Sequence, residues 1–148
     1  MPSPRHGFVC SRIDRQIGNF VEERDLGRVA SNDSFVQTGP DSVRGGDVCY
    51  WSYDRLPRGP VPEGLLPAAP DLVVEVKSPS ERWMDLFVKI GEYLRAGVRV
   101  VVIVDPERPS VSVYRADDPP QQILGMDDTL TLPDVLPGFS VPVARLLG

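Results

Sequence analysis

The sequence has very few of the residues on which several kinds of enzyme chemistry depend. Its 148 residues include two cysteines and a single histidine. Cys10 and Cys49 lie far apart and neither belongs to a Cys-x-x-Cys pair, so two buried, reduced thiols are expected rather than a zinc site. His6 falls in a segment, residues 1–6, that is expected to be a flexible leader, which argues against a histidine-dependent catalytic triad.

Long apolar runs and an excess of positive charge are also missing. No run approaches the roughly 20 apolar residues that span a bilayer, and the N-terminus has no apolar signal core. We therefore expect a cytoplasmic protein that does not bind membranes. The net charge of −5 argues mildly against tight nucleic-acid binding, because Lys and Arg supply phosphate contacts. Acidic metal ligands, however, would also lower the net charge of a nuclease.

The sequence is 41% apolar and has no internal repeat. Its length and the spacing of its apolar residues predict one α/β domain over residues 1–148. A strand, a helix and a second strand in succession predict a right-handed crossover between parallel strands. The helices are expected at residues 7–25 and from a capping box at Ser78 to Ala96, before Gly97. The strands are expected at 28–31 and 34–38 around an Asn32-Asp33 turn, then at 47–53, 71–77, 99–104, 111–115, 121–124 and 129–132. Residues 54–70 are proline-rich and predict a loop.

The strand at 71–77 carries more charge than a core strand normally does. Alternation places Asp71, Glu75 and Lys77 on one face together with Val73, and Leu72, Val74 and Val76 on the other. Buried charges are costly unless they are paired or hold a metal. Asp47, at the head of an earlier predicted strand, is a candidate second carboxylate.

These residues suit metal-assisted phosphodiester hydrolysis. Magnesium prefers oxygen ligands, which Asp47, Glu75 and the backbone carbonyl of Val76 could supply. Lys77 could orient or deprotonate the attacking water and stabilise charge that develops on phosphorus.

Each of these residues also has a purely structural interpretation. Glu75 and Lys77 could form an ion pair at the rim of the sheet, and Asp47 could be a turn residue after Gly45-Gly46. Asp71 could simply begin its strand. In the same way, Lys89 could pair with Asp85 at helical i, i+4 spacing, and Tyr93 could be a packing residue.

Several segments share a pattern with a known family: residues 70–80, Lys89, Tyr93, 97–98, 102–106 and 111–114, together with Arg5-His6-Gly7 and the strand that starts at Asp47. In these segments the chain resembles the Uma2 family of putative restriction endonucleases, which is similar to the PD-(D/E)XK nuclease superfamily. The resemblance implies a restriction-endonuclease-like core, in which a mixed central sheet is flanked by helices. It also implies a metal-dependent endonuclease acting on DNA.

The implied site consists of Asp47 and Glu75 as ligands of Mg²⁺, with Mn²⁺ as a substitute, Lys77 as a catalytic residue and Lys89 as a supporting contact. Cutting both strands of a duplex needs two sites, so a homodimer is expected. No organic cofactor is expected. The chain departs from the family pattern at Gly46, where a proline is usual, and in its short N-terminal segment. A catalytically degenerate binding module and a structural homodimer are the alternative interpretations. Arginines that could contact a DNA groove are Arg44, Arg55, Arg58 and Arg82.

Overall fold

A computed structural model describes residues 3–116 and 118–148, without the side chains of residues 32, 33, 35 and 118–121. Residues 1 and 2 of the expected leader lie outside this part. The elements, in chain order, are α1 (Pro4–Arg24), β1 (Gly27–Gly39), β2 (Ser42–Ser52), β3 (Leu72–Val76), α2 (Trp83–Arg95), β4 (Val100–Asp105), β5 (Ser110–Arg115), β6 (Asp118–Leu124), β7 (Thr129–Leu132), β8 (Leu136–Pro142) and α3 (Val143–Leu147).

One mixed sheet organises the fold, with its strands in the order β1-β2-β3-β4-β5-β6, while β7 and β8 form a separate hairpin. Strands β3 and β4 are parallel, with Glu75 opposite Ile103, and α2 connects them. The other neighbouring pairs in the large sheet are antiparallel. The predicted parallel strand pair with its connecting helix is confirmed, as is the α/β class, a mixed sheet flanked by helices. No helix in the described part of the chain is long and apolar enough to span a membrane.

The two faces of the sheet bury separate apolar cores, and β3 contributes alternate residues to each. Leu72, Val74 and Val76 pack into the core that includes the apolar stripe of α1. Val73 belongs to the other core, with Leu86, Ile90 and Tyr93 of α2. The alternation predicted for this strand is therefore correct, and Glu75 lies on the α2 side, where the hydroxyl of Tyr93 reaches it.

The structure corrects the N-terminal third of the prediction. Helix α1 begins at Pro4, since the side chain of Ser3 accepts a hydrogen bond from the backbone N–H of His6. Residues 4–6 are therefore helical rather than a flexible leader. The two short strands are one strand, β1, whose register shifts between Ser31 and Ser34 instead of turning. This irregularity lets a single long strand keep its pairing with β2 on both sides of the polar residues.

The glycine pair at 45–46 and the following aspartate were also placed wrongly. Gly45 and Gly46 lie inside β2, paired with β1, so they do not break the strand. Asp47 consequently lies within β2 rather than at its head. A Cβ on Gly46 would lie 2.6 Å from Sγ of Cys49. Glycine is thus needed for close packing here and not for a turn.

The capping box predicted at Ser78 does not form. Helix α2 begins at Trp83 with Arg82 as its N-cap residue, and residues 78–81 form a turn. The glutamate that a capping box requires, Glu81, instead pairs through its carboxylate with Lys89. The predicted end is correct, because Gly97 takes a positive φ of 105° directly after the helix.

The proline-rich loop is fastened to the sheet by a buried aspartate. Asp71 is 3% exposed and accepts a hydrogen bond from the backbone N–H of Ser52 at 2.7 Å. Its carboxylate also lies 3.4 Å from Arg55, whose guanidinium donates to the carbonyls of Ala69, Pro70 and Gly97. Asp71 therefore anchors the start of β3, and Arg55 has a structural role rather than a free groove position.

A close approach at the start of β1 generates a stability prediction. A Cβ at Gly27 would lie 2.1 Å from the carbonyl oxygen of Trp51. We expect Gly27→Ala to lower the free energy of unfolding by about 2 kcal/mol or more, because backbone atoms cannot move aside cheaply. Urea unfolding measures the change. Gly18→Ala is the control: nothing lies within 4 Å of its Cβ, so it should stabilise α1 by about 0.5–1 kcal/mol. Equal effects at both positions would contradict the packing argument.

Candidate metal centre

Glu75 is the more buried of the two proposed carboxylate ligands. It is 4% exposed, on the face of β3 that packs against α2. The Tyr93 hydroxyl donates to its Oε1 at 2.7 Å, and Nζ of Lys89 lies 3.7 Å from its Oε2. Tyr93 is fully buried, and it is more than a packing residue because its hydroxyl donates this hydrogen bond. The carboxylate is thus fixed by one hydrogen bond and one ion pair.

Burial raises the pKa of Glu75 from 4.5 to about 7. The positive charge of Lys89 and the hydrogen bond from Tyr93 oppose this rise, while the negative charges of Asp47 and Glu81 add to it. A carboxyl group in this state is only partly ionised at neutral pH. A cation bound beside it would stabilise the ionised form, since an opposite charge favours the charged state.

Lys89 connects Glu75 to a second carboxylate. Its Nζ lies 3.1 Å from Oε2 of Glu81 in addition to its contact with Glu75. Burial lowers the pKa of Lys89, but the charges of Glu75 and Glu81 outweigh burial and hold the pKa above its usual value. The alternative pairing of Lys89 with Asp85 does not form. Asp85 instead lies 3.5 Å from Arg82.

Asp47 lies beside Glu75 on the neighbouring strand. The register pairs Val48 with Val74, so the next residues toward this end of the two strands are Asp47 and Glu75. Oδ2 of Asp47 accepts a hydrogen bond from the backbone N–H of Val76 at 2.7 Å. This bond fixes the carboxylate to β3, and its charge raises the pKa of Glu75. The two proposed acidic ligands therefore influence each other electrostatically.

Lys77 and the carbonyl of Val76 have partners other than those expected. Lys77 is 8% exposed, and its Nζ donates to the carbonyl of Ser78 at 3.4 Å. Among the described residues it forms no ion pair with a carboxylate, so the alternative interpretation of Glu75 and Lys77 as an ion pair at the rim of the sheet does not hold. The Val76 oxygen lies 2.9 Å from Nε2 of His6. A carbonyl only accepts, so Nε2 carries the proton in this contact.

His6 and Cys10 are the residues at this centre that sequence reasoning missed. His6 was assigned to a leader, yet its Nε2 lies 3.7 Å from Oδ2 of Asp47. Cys10 Sγ lies 3.6 Å from the other ring nitrogen of His6. Their i, i+4 spacing on an amphipathic helix was the available signal, because such residues share one face.

The arginines considered as groove contacts are all engaged with acidic side chains. Arg44 pairs with Glu92, Arg58 with Asp25 and Arg82 with Asp85. Arg55 contacts Asp71 as described above. DNA contacts by any of them would therefore compete with an existing ion pair.

The donor set suits a hard divalent cation. Asp47 and Glu75 present carboxylate oxygens from adjacent strands, and Val76 adds a carbonyl oxygen whose second lone pair is not used by His6. Magnesium is bound in proteins by one or two carboxylates together with waters or substrate phosphates. Because burial raises the pKa of Glu75, a cation that binds here has to displace the proton of this carboxyl group near neutral pH.

Comparison with known proteins gives the family. A model of the Uma2 family, described as "Putative restriction endonuclease", matches residues 1–144. The chain belongs to the Uma2 family. Among solved structures it is similar to a putative nuclease belonging to DUF820 from Anabaena variabilis ATCC 29413, with a TM-score of 0.88 and 20% identity. The match covers 99% of this chain and 82% of the other. No curated protein matches the chain.

Both comparisons confirm the family resemblance and the nuclease-like fold expected from the sequence. The match to the solved structure extends over nearly the whole Uma2 chain, including the long β1–β2 pair and the C-terminal hairpin. At 20% identity this likeness establishes the fold.

The raised pKa of Glu75 predicts a pH-dependent stability. In the folded protein this carboxyl group holds its proton up to about pH 7, whereas in the unfolded chain it releases it near 4.5. The folded state therefore binds more protons between these values, and stability should fall as pH rises through this window, by about 3 kcal/mol in total. Urea unfolding with a chelator present measures this slope.

Glu75→Gln should remove most of that slope and make the protein more stable than wild type at pH 8, because no charge is then buried. Glu92→Gln is the matched control, since its carboxylate has a lowered pKa through its bond to Arg44. A wild-type slope that persists in Glu75→Gln would show that Glu75 does not titrate as described.

Proposed function

We propose that this Uma2 protein is a metal-dependent endonuclease that hydrolyses DNA phosphodiester bonds. The observation that carries the proposal is the buried carboxylate of Glu75, electrostatically coupled to Asp47 on the adjacent strand. The family description and the name of the similar solved structure support it. Mg²⁺ is the proposed ion, with Mn²⁺ as a substitute.

Asp47, Glu75 and the Val76 carbonyl would hold the ion. When bound, Mg²⁺ supplies Lewis acidity to a phosphoryl oxygen and lowers the pKa of a coordinated water. The chain's own residues fix the ligands beforehand: Tyr93 holds Oε1 of Glu75, and the N–H of Val76 holds Oδ2 of Asp47. Such preorganisation removes the cost of ordering these groups during the reaction.

The two lysines have different proposed roles. Lys77 is the catalytic residue, whose ammonium group orients the attacking water or stabilises negative charge on the scissile phosphate. The one described hydrogen bond of this ammonium group, to the carbonyl of Ser78 at 3.4 Å, is long and readily exchanged for one to a substrate oxygen. Lys89 acts on Glu75, where its charge lowers the pKa and so maintains the ionised ligand.

Cleavage of both strands of a duplex would require two such centres, so we propose that the protein acts as a homodimer. The alternative function is that of a catalytically inactive binding module with the same fold. One observation favours the alternative: the arginines that could contact a DNA groove are paired with acidic residues.

Nicking of supercoiled plasmid tests the proposal. We expect Mg²⁺-dependent nicking by wild type and a loss of more than about 100-fold in Glu75→Gln. The reason is that loss of even an outer partner of a metal ligand typically costs 10–100-fold. Glu63→Gln, an exposed glutamate of the proline-rich loop, is the matched control and should nick like wild type. Folded wild-type protein that neither nicks nor binds Mg²⁺ would favour the binding-module alternative.

Lysine substitutions separate the two proposed roles. Lys77→Met should lower the nicking rate by about 100- to 1000-fold with unchanged Mg²⁺ affinity, as for loss of a transition-state donor. Lys89→Met should raise the pKa of Glu75 further and shift the pH profile of Mg²⁺ binding upward. Calorimetry from pH 6 to 9 with parallel nicking assays distinguishes them. Identical behaviour of the two variants would contradict the assignment.

A further inference from the structure

A second group of potential metal ligands lies at the edge of the proposed magnesium centre. His6 and Cys10 project from the first turns of α1, and Asp47 reaches them from β2. One ligand atom from each residue lies within 4.8 Å of the others. The side chains of His6 and Asp47 are 15% and 14% exposed, so an ion from solvent could reach a largely enclosed position.

The two distances from His6 are close to those of a tetrahedral site, and Sγ of Cys10 lies within 4.8 Å of a carboxylate oxygen of Asp47. Nε2 of His6 lies 3.7 Å from Oδ2 of Asp47 and 4.0 Å from Sγ of Cys10. Zinc bonds of about 2.0–2.3 Å place tetrahedral ligand atoms roughly 3.4–3.6 Å apart. The group therefore needs to contract by only a few tenths of an ångström around His6. Side-chain rotation can provide that movement.

We propose that His6, Cys10 and Asp47 form a binding site for a thiophilic divalent cation of the Zn²⁺ class, which shares Asp47 with the magnesium centre. Three protein ligands would leave the fourth tetrahedral position to water. Binding of zinc here does not depend on the proposed nuclease activity. Only the consequence for activity rests on that function.

The ligand types select against magnesium. Thiolate and imidazole ligands suit Zn²⁺, whereas Mg²⁺ takes oxygen ligands and retains its waters. Glu75 and the Val76 carbonyl provide the oxygen-only side of Asp47, and His6 with Cys10 provides the nitrogen and sulfur side. Asp47 thus stands between two sites of opposite preference.

Binding of Zn²⁺ at this site requires changes in the protonation of Cys10 and His6. The Cys10 thiol loses its proton to solvent when it becomes a ligand. Nε2 of His6 gives up its hydrogen bond to the Val76 oxygen, its proton passes to Nδ1, and the freed lone pair binds the ion. Because Asp47 cannot serve both ions fully, Zn²⁺ should compete with Mg²⁺.

The test is a titration of full-length protein with Zn²⁺ against a chromophoric chelator, under reducing conditions. We expect one ion per chain and an affinity at least about tenfold weaker in Cys10→Ala, since loss of a ligand exceeds loss of an outer partner. Cys49→Ala is the matched control, because its buried thiol lies in the core on the α2 side. Its affinity should equal that of wild type.

Co²⁺ provides a readout of the thiolate itself. Wild type and Cys49→Ala should show a sulfur-to-cobalt charge-transfer band, which Cys10→Ala and the size-matched Cys10→Ser should lose. Thermal unfolding by circular dichroism confirms that each variant is folded. Equal Zn²⁺ affinity in wild type and Cys10→Ser, or a wild-type Co²⁺ spectrum without the band, would overturn the proposal.

The nicking assay separates this inference from the proposed function. Zn²⁺ should inhibit Mg²⁺-supported nicking by wild type and inhibit Cys10→Ser at least about tenfold less. Wild type that binds Zn²⁺ through Cys10 but never nicks DNA would uphold this site and contradict the nuclease function. If wild type nicks DNA but binds Zn²⁺ without using Cys10, the nuclease function is upheld and the zinc site is contradicted.

Discussion

The buried carboxylate of Glu75, held between the hydroxyl of Tyr93 and the ammonium of Lys89, is the contact on which the centre depends. Removing a carboxylate from water is costly, as its pKa of about 7 shows. The surrounding structure offsets that cost only in part. Tyr93 and Lys89 come from α2, so the helix that connects the parallel strands β3 and β4 also positions the carboxylate of Glu75.

Asp47 is held by a different device. Its carboxylate bonds to the backbone N–H of Val76 just beyond the last paired residues of β2 and β3, and so continues the pairing through a side chain. The aspartate is consequently fixed beside Glu75 without being buried to the same degree. One carboxylate is enclosed and the other borders solvent, where the side chains of His6 and Cys10 also reach it. Asp47 is therefore the carboxylate that both His6 and Cys10 on α1 and the neighbouring strand β3 can reach.

The fold was predicted well where apolar residues recur along the sequence with the regular spacing of a strand or a helix. The alternation in β3, the apolar run of β4 and the crossover between them were correct, because burial on two faces leaves a direct pattern. Local signals were less reliable. The capping box at Ser78 does not form, because residues 78–81 make a turn and α2 begins only at Trp83. The glycine pair at 45–46 lies inside β2, where Gly46 serves packing rather than a turn. The i, i+4 spacing of His6 and Cys10 indicates that they share a helix face, but the contact of His6 with β3 is tertiary and cannot be predicted from that spacing.

Anomalous diffraction from crystals grown with Mn²⁺ tests the central claim most directly, since manganese replaces magnesium in oxygen sites and scatters anomalously. We expect one strong peak per chain, within bonding distance of a carboxylate oxygen of both Asp47 and Glu75. A peak bonded to neither residue, or no peak at saturating Mn²⁺ with Glu75 still hydrogen-bonded to Tyr93 and paired with Lys89, would contradict it.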